Sequence, residues 1–251
     1  MSNEFQAFEV PLPSGGLNYP TNCSFKSGVV KLRYGTSRDE TILMDNQLIK
    51  KGTVLTELLK SLMVDKEDVN KLFPGDYNAL MLAARISMYG SDFEAEIQCP
   101  SCGKMNKIFV DLTKFENFEN TENFLSGNFE YTSKLKNKYK YWILTAGELM
   151  EFEDFVSNMR KKNIPVNIIA EYFFRCIESV NDKKDKAELK TFFNNMPSIE
   201  SKEVREHILS NSPDVNMEQE FVCAYCNHEW ETDLPINTKF FWGTGSRQKR
   251  V

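Results

Sequence analysis

Hydrophobic and polar positions alternate from Gly28 to Tyr34, with Val30, Leu32 and Tyr34 on one side and Val29, Lys31 and Arg33 on the other. Period two predicts a strand. Ahead of it, Pro11-Leu12-Pro13-Ser14-Gly15-Gly16-Leu17-Asn18-Tyr19-Pro20 is turn chemistry throughout. Its Gly-Gly is no phosphate loop, because no Gly-Lys-Ser/Thr follows. The run Thr41-Ile42-Leu43-Met44 is a candidate partner strand. From Thr53 the period becomes helical: Leu55, Leu58, Leu59 and Leu62 share a face, with Thr53 as N-cap. A short helix is expected after Asp65. Asp76 is then read as the cap of a helix through Leu80, Met81, Ala84 and Met88, stopped by Gly90 in the left-handed conformation.

Residues 93–112 read as strand, cysteine turn, strand, with Phe93-Glu-Ala-Glu-Ile97 before Cys99 and Ile108-Phe-Val-Asp-Leu112 after Cys102. Residues 113–141 have weak periodicity and are expected to be a loop holding a hairpin. Their Phe115, Phe118 and Phe124 are either satellite core or contact residues. Thr145 and Glu148 form a capping box for a helix with Leu149, Phe152, Val156 and Met159 on one face. Arg160, Lys161 and Lys162 suit its negative end. Pro165 opens another helix, with Ile169, Tyr172, Phe173, Cys176, Ile177 and Val180 along one side. Two shorter helices are expected around 185–195 and 199–209. The charged run 182–190 reads as a solvated loop and helix face, and residues 211–217 as a link to a second cysteine pair.

That pair is flanked like the first. Met217, Gln219 and Phe221 alternate before Cys223-Ala-Tyr-Cys226, and His228 to Leu234 is strand-like after it. Each motif is C-x2-C, a spacing that lets a tight turn aim two thiolates at one metal about 2.3 Å away. Gly103 and Asn227, directly after each pair, suit the backbone of such a knuckle. Structural zinc takes four ligands, so the halves are expected to meet on one structural Zn2+ held by Cys99, Cys102, Cys223 and Cys226. Between Cys102 and Cys223 lie residues 103–222, whereas a compact ribbon has about 15–20 residues there. The closure entropy of so long a loop grows only logarithmically. The metal would clip distant parts of the chain together, and its binding energy would become folding energy. A dithiol redox motif would need a thioredoxin-like βαβ setting, which is absent.

The fold class expected is therefore α+β: a discontinuous four-cysteine zinc ribbon with a large inserted helical region, plus a small N-terminal β/helical part. The segments are N-terminal strands and loops (1–45), a helical segment (46–92), the ribbon (93–112 and 217–236), an inserted loop and helical block (113–216) and a C-terminal tail (237–251). Of the remaining candidates, Cys176 is assigned to an apolar helical face and Cys23 to a polar loop. His207 is assigned to a solvated helix face and His228 to a strand. Phe240-Phe241-Trp242 is either a contact or a tuck of the chain onto the core.

Composition narrows function by exclusion. The 251 residues are 41% hydrophobic with 19 Phe, 9 Tyr and 10 Met, ample for a core. The net charge of −5 and pI near 5.3 argue against a protein living on phosphate backbones. The basic group Arg247, Lys249, Arg250 reads as a solvated end. Lys104, Lys107 and Lys114 near one knuckle are offset by Glu94, Glu96, Glu220, Glu229 and Glu231. No stretch of ~18 apolar residues suggests a membrane span, and the N-terminus lacks the basic and apolar regions of a signal peptide. A reducing cytosol, where paired cysteines more often bind metal than form disulfides, is the compartment expected. Four cysteines fill a zinc shell, and there is no His-Glu-x-x-His. With two histidines in the chain, no enzyme and no small-molecule substrate are expected.

The order of motifs resembles a known family. Leu12-Pro-Ser-Gly-Gly-Leu-Asn-Tyr-Pro20 is followed by Asp39-Glu40 before an apolar run. Asp76-Tyr-Asn-Ala-Leu-Met-Leu-Ala-Ala-Arg-Ile-Ser-Met-Tyr-Gly90 comes next, then Cys99-Pro-Ser-Cys102-Gly, Leu144-Thr-Ala-Gly-Glu-Leu-Met-Glu151 and the second cysteine pair. Over nearly the full length this layout is similar to the baseplate hub and hub-assembly proteins of T4-type bacteriophages. The resemblance implies a non-enzymatic hub component or hub-assembly chaperone whose partners are other baseplate hub or tail assembly proteins. It would be found in the host cytoplasm during assembly, or in the tail baseplate of the virion. The competing reading is a zinc-ribbon nucleic-acid-binding or transcription adaptor protein. A metalloenzyme would need an open coordination position.

Overall fold

The computed structural model describes residues 6–234, 236, 240 and 241. Strand β1 (Ala7–Pro11) pairs antiparallel with β2 (Val29–Arg33), Val10 facing Val30 and Phe8 facing Leu32. The proline-framed turn between them folds inward, placing Leu12, Tyr19, Cys23 and Phe25 in the core. The partner of β2 is thus β1 and not Thr41–Met44, which fall in and just after helix α1 (Ser37–Leu43). Local capping explains the difference. Asp39 accepts the Thr36 N–H and hydroxyl, both at 2.8 Å, and is gripped by two Arg33 nitrogens at 2.8 Å. That network starts a helix and outweighs the β-branched Thr41 and Ile42.

Helices α2 (Asn46–Lys51) and α3 (Val54–Leu62) follow, α3 burying Val54, Leu58, Leu59 and Leu62. After Asp65 there is only a 3-10 turn, Val69–Lys71. Helix α4 (Pro74–Tyr89) begins with proline in its first turn, where no N–H is missed. Asp76 therefore lies inside that turn and does not cap it. Fully buried, it accepts the Ser14 N–H at 2.9 Å, the Ser14 hydroxyl at 2.7 Å and the Tyr19 hydroxyl at 2.7 Å. Gly90 ends α4 at φ 82°, but with ψ 173° instead of the left-handed helical value.

Strands β3 (Asp92–Gln98) and β4 (Met105–Asp111) form a hairpin in which Phe93, Ala95 and Ile97 face Val110, Ile108 and Asn106. The weakly patterned stretch after it contains helix α5 (Glu122–Ser126) and the strands β5 (Glu130–Thr132) and β6 (Lys138–Tyr141). Phe124 is fully buried, Phe115 is half-buried and Phe118 is exposed. Helix α6 (Ala146–Lys161) shows the Thr145–Glu148 capping box, with bonds of 2.8 and 3.2 Å. Helix α7 (Ile168–Cys176) starts at an Asn167 cap, two residues beyond Pro165. It stops sooner than the apolar pattern suggests, because Ile177 and Val180 belong to strand β7 (Ile177–Val180), opposite Tyr141 and Tyr139 of β6. A short apolar run reads equally as helix or strand until a neighbouring strand claims it. Helices α8 (Lys186–Asn195) and α9 (Ser198–Ser210) precede the last hairpin, β8 (Glu218–Val222) with β9 (Glu229–Asp233).

This mixture of helices and small antiparallel sheets is α+β. Apolar burial falls into two clusters. The larger joins β1, β2, α3, α4 and the inner faces of β3–β4 and β8–β9, and takes in Phe240 and Phe241. The smaller joins β6, β7, α7, α8 and α9 around Phe173, Phe193, Val204 and Ile208. Phe240 and Phe241 are thus tucked inward, Phe240 against Phe93 with its carbonyl bound by Arg85 at 3.0 Å. Trp242 and the basic group Arg247, Lys249, Arg250 lie outside the described residues.

Candidate metal centre

The cysteine pairs sit at the tips of the two hairpins. In the first, the Cys99 N–H donates to the Lys104 carbonyl and the Gly103 N–H to the Cys99 carbonyl, both at 2.9 Å. In the second, the Cys223 N–H donates to the His228 carbonyl at 2.9 Å and the Asn227 N–H to the Cys223 carbonyl at 3.0 Å. The two turns are copies of one knuckle. The residue after each pair has positive φ, 71° at Gly103 and 55° at Asn227, which is why glycine and asparagine stand there.

The structure brings the tips together. The Sγ atoms of Cys99, Cys102, Cys223 and Cys226 all lie within 4.8 Å of one another. Cys99 and Cys226 are 3.8 Å apart, and Cys102 and Cys223 3.6 Å. A tetrahedron of sulfurs about 2.3 Å from a central zinc has edges of about 3.8 Å. A disulfide needs about 2.05 Å, and all four thiols are free. The donor set and its spacing fit a four-coordinate thiophilic ion. Cys99 and Cys223 are buried, Cys102 and Cys226 exposed. The hairpins remain separate two-stranded sheets, so the cysteine tips, not a shared ladder, bring them to one point.

Electrostatics at the second knuckle favour one thiolate. Burial opposes ionisation of Cys223, but the N–H groups of Tyr225 and Cys226 and the neighbouring thiols bring it down to about 6. The Tyr225 N–H lies 3.4 Å from its sulfur. Cys226, despite a backbone bond at His228 that lowers it, is pushed up to about 12 by burial and by the adjacent thiols. A divalent metal is bound by thiolates, so its binding would displace thiol protons.

The other candidates lie elsewhere. His228 stacks its ring on Trp230, centroids 6.1 Å apart, and offers the knuckle its carbonyl. His207 is not a solvated residue: its ring lies 3.9 Å from that of Tyr131, edge-on to Tyr141, whose hydroxyl is 3.2 Å from Nε2. Burial lowers its pKa. Cys176 is core, its thiol pushed up to about 12 by burial. Cys23 is also buried and its thiol raised, because the polar loop folds inward. Among the described residues, no other group of three His, Cys, Asp or Glu side chains lies close enough to share an ion.

One residue at the site escaped sequence reasoning. Asn106 lies on the inner face of β4, only 5% exposed, and donates from Nδ2 to the Lys104 carbonyl at 3.1 Å. Its Oδ1 accepts the Ala224 N–H at 2.9 Å. The available signal was an amide in the alternating row that otherwise carries Ile108 and Val110.

The outer face of β8–β9 carries Glu218, Glu220, Glu229, Glu231 and Asp233, with Glu218 opposite Asp233 and Glu220 opposite Glu231. No described helix is long and apolar enough to cross a membrane. No curated protein and no solved structure matches the chain. The family described as T4 bacteriophage base plate protein matches residues 16–242. With that match covering most of the chain and both knuckles, the chain belongs to the T4 bacteriophage base plate protein family and is a phage baseplate protein.

Proposed function

We propose that the protein works in the central hub of the baseplate, as a hub component or hub-assembly chaperone, through protein–protein contacts and without catalysis. Its partners are other hub or tail assembly proteins. It acts in the host cytoplasm during assembly and, where it stays in the particle, in the tail. One structural Zn2+ held by Cys99, Cys102, Cys223 and Cys226 joins the two hairpins as a discontinuous zinc ribbon.

Family membership supports the baseplate setting, and the convergence of four sulfurs from two distant segments carries the zinc scaffold. Four thiolates saturate a tetrahedral ion, which suits a structural metal better than a catalytic one. The acidic outer face of β8–β9 disfavours a nucleic-acid adaptor, whose affinity depends on neutralising phosphates. A rigid metal-clipped body presents fixed surfaces, and rigidity lowers the entropy cost of docking.

Affinity capture of a tagged copy from phage-infected cells, read by mass spectrometry, tests the setting. Baseplate hub or tail proteins are the expected catch; polymerase subunits or nucleic acid would overturn the reading. Metal analysis of the purified protein tests the scaffold, with one zinc per chain expected.

A further inference from the structure

We infer that Asn106 is a positioning residue for the metal centre: its side-chain amide joins the two knuckles and holds the four sulfurs at binding distance. The inference rests on the zinc reading above. It concerns a residue that coordinates nothing itself.

The argument starts from where the amide stands. Inner-face positions of β3 and β4 hold Phe93, Ala95, Ile97, Ile108 and Val110, and Asn106 is opposite Ile97. A buried amide on an apolar face is unfavourable unless its donors and acceptor are satisfied. The bonds it makes run to both halves of the site. Nδ2 donates to the Lys104 carbonyl, the same oxygen that accepts the Cys99 N–H and closes the first knuckle. Oδ1 accepts the N–H of Ala224, next in sequence to Cys223. One planar side chain thus fixes the distance between two turns that residues 103–222 separate along the chain.

A second contact spans the same gap. The Lys104 ammonium sits 4.6 Å from the centroid of the Tyr225 ring, a cation–π pair between the knuckles. It is exposed, since Tyr225 is largely in solvent, so it contributes less than the buried amide. Outer-shell hydrogen bonds orient metal ligands, and removing one typically weakens metal binding about 10–100-fold. Asn106 acts on the ligand backbone instead of on a ligand atom, but the consequence is the same: sulfurs no longer held 3.6 to 3.8 Å apart must be gathered by the metal itself.

The test compares zinc affinity, by competition with a chromophoric chelator, in wild type, Asn106→Ala, Asn106→Asp and Val204→Ala. Asn106→Ala is expected to bind zinc at least tenfold more weakly, with a shifted thiolate-to-metal absorption after Co2+ substitution. Asn106→Asp keeps the acceptor for Ala224 and loses the donor to Lys104. It is expected to bind zinc more weakly than wild type, and it carries the comparison if Asn106→Ala does not fold. Val204→Ala, in the other core, lowers the melting temperature and is expected to leave affinity and Co2+ spectrum unchanged. Wild-type affinity and spectrum in the folded Asn106 variants would overturn the positioning role while leaving the zinc site intact. A wild-type protein that takes up no zinc would overturn the zinc reading itself, and the positioning role with it.

Discussion

At the scale of single residues, buried polar groups separate what patterning shows from what it hides. Asp76 looks like an N-cap from its place before an apolar run. It holds Ser14 and Tyr19 of the N-terminal turn against α4, and among the described residues no cation pairs with it. Burial raises its pKa. The partners that reveal this role lie 57 and 62 residues away in sequence, beyond the reach of local pattern. Asp76→Ala would take the acceptor from three buried donors, the Ser14 N–H and the Ser14 and Tyr19 hydroxyls, and is expected to cost about 2–4 kcal/mol, read from the urea midpoint. His207 supplies a pH signature. Its position in the last turn of α9 favours the cation, but burial between tyrosine rings wins and lowers its pKa below 6.5. The unfolded chain then takes up the proton first. The stability His207 contributes is full above about pH 6.5 and is lost as pH falls toward its folded value. His207→Phe keeps the ring stack, so its melting temperature is expected to fall less between pH 7 and pH 5 than that of wild type.

At the scale of elements, the knuckles were the most legible part of the chain. Spacing, flanking alternation and the Gly103 and Asn227 positions all act within a few residues, and the structure puts both turns where those signals put them. The failures share a cause. Thr41–Met44 and Ile177–Val180 are short apolar runs whose fate depends on a partner outside the run: Arg33 gripping Asp39 in one case, β6 in the other. A two-stranded hairpin is marginal alone, so β8–β9 depends on its apolar inner face and on the proposed metal. Cys102→Ser or Cys223→Ser is expected to give aggregated or partly unfolded protein. Chelation of wild type is expected to speed amide exchange in β3, β4, β8 and β9 while α7 and α9 keep their protection. Uniform loss across all of these elements would contradict a local clip.

At the scale of the whole molecule, residues 211–217 connect the two cores, and their fit was invisible in the sequence. A Cβ added at Gly75 would meet the Pro213 carbonyl at 1.9 Å, so the first turn of α4 lies directly against this connection. Asn117 and Val215 bridge beside it, and the Asn78 side chain donates to Asp214 at 3.1 Å. Only glycine fits such an approach without moving backbone. Gly75→Ala is expected to destabilise by about 1–3 kcal/mol or more, measured by thermal melting.

The distance in sequence between the cysteine pairs also sets an order of events during synthesis. The first knuckle leaves the ribosome with two of the four proposed ligands, and the other two emerge only after residues 103–222 have been made. At ~5–20 residues per second, that interval is on the order of 6–24 s. Through it, Cys99 and Cys102 are open thiols beside an apolar hairpin face that β8–β9 has not yet covered. A metal held by all four cysteines could therefore be captured only once Cys226 has been made, and a product broken off before Cys223 would lack half of the proposed ligands.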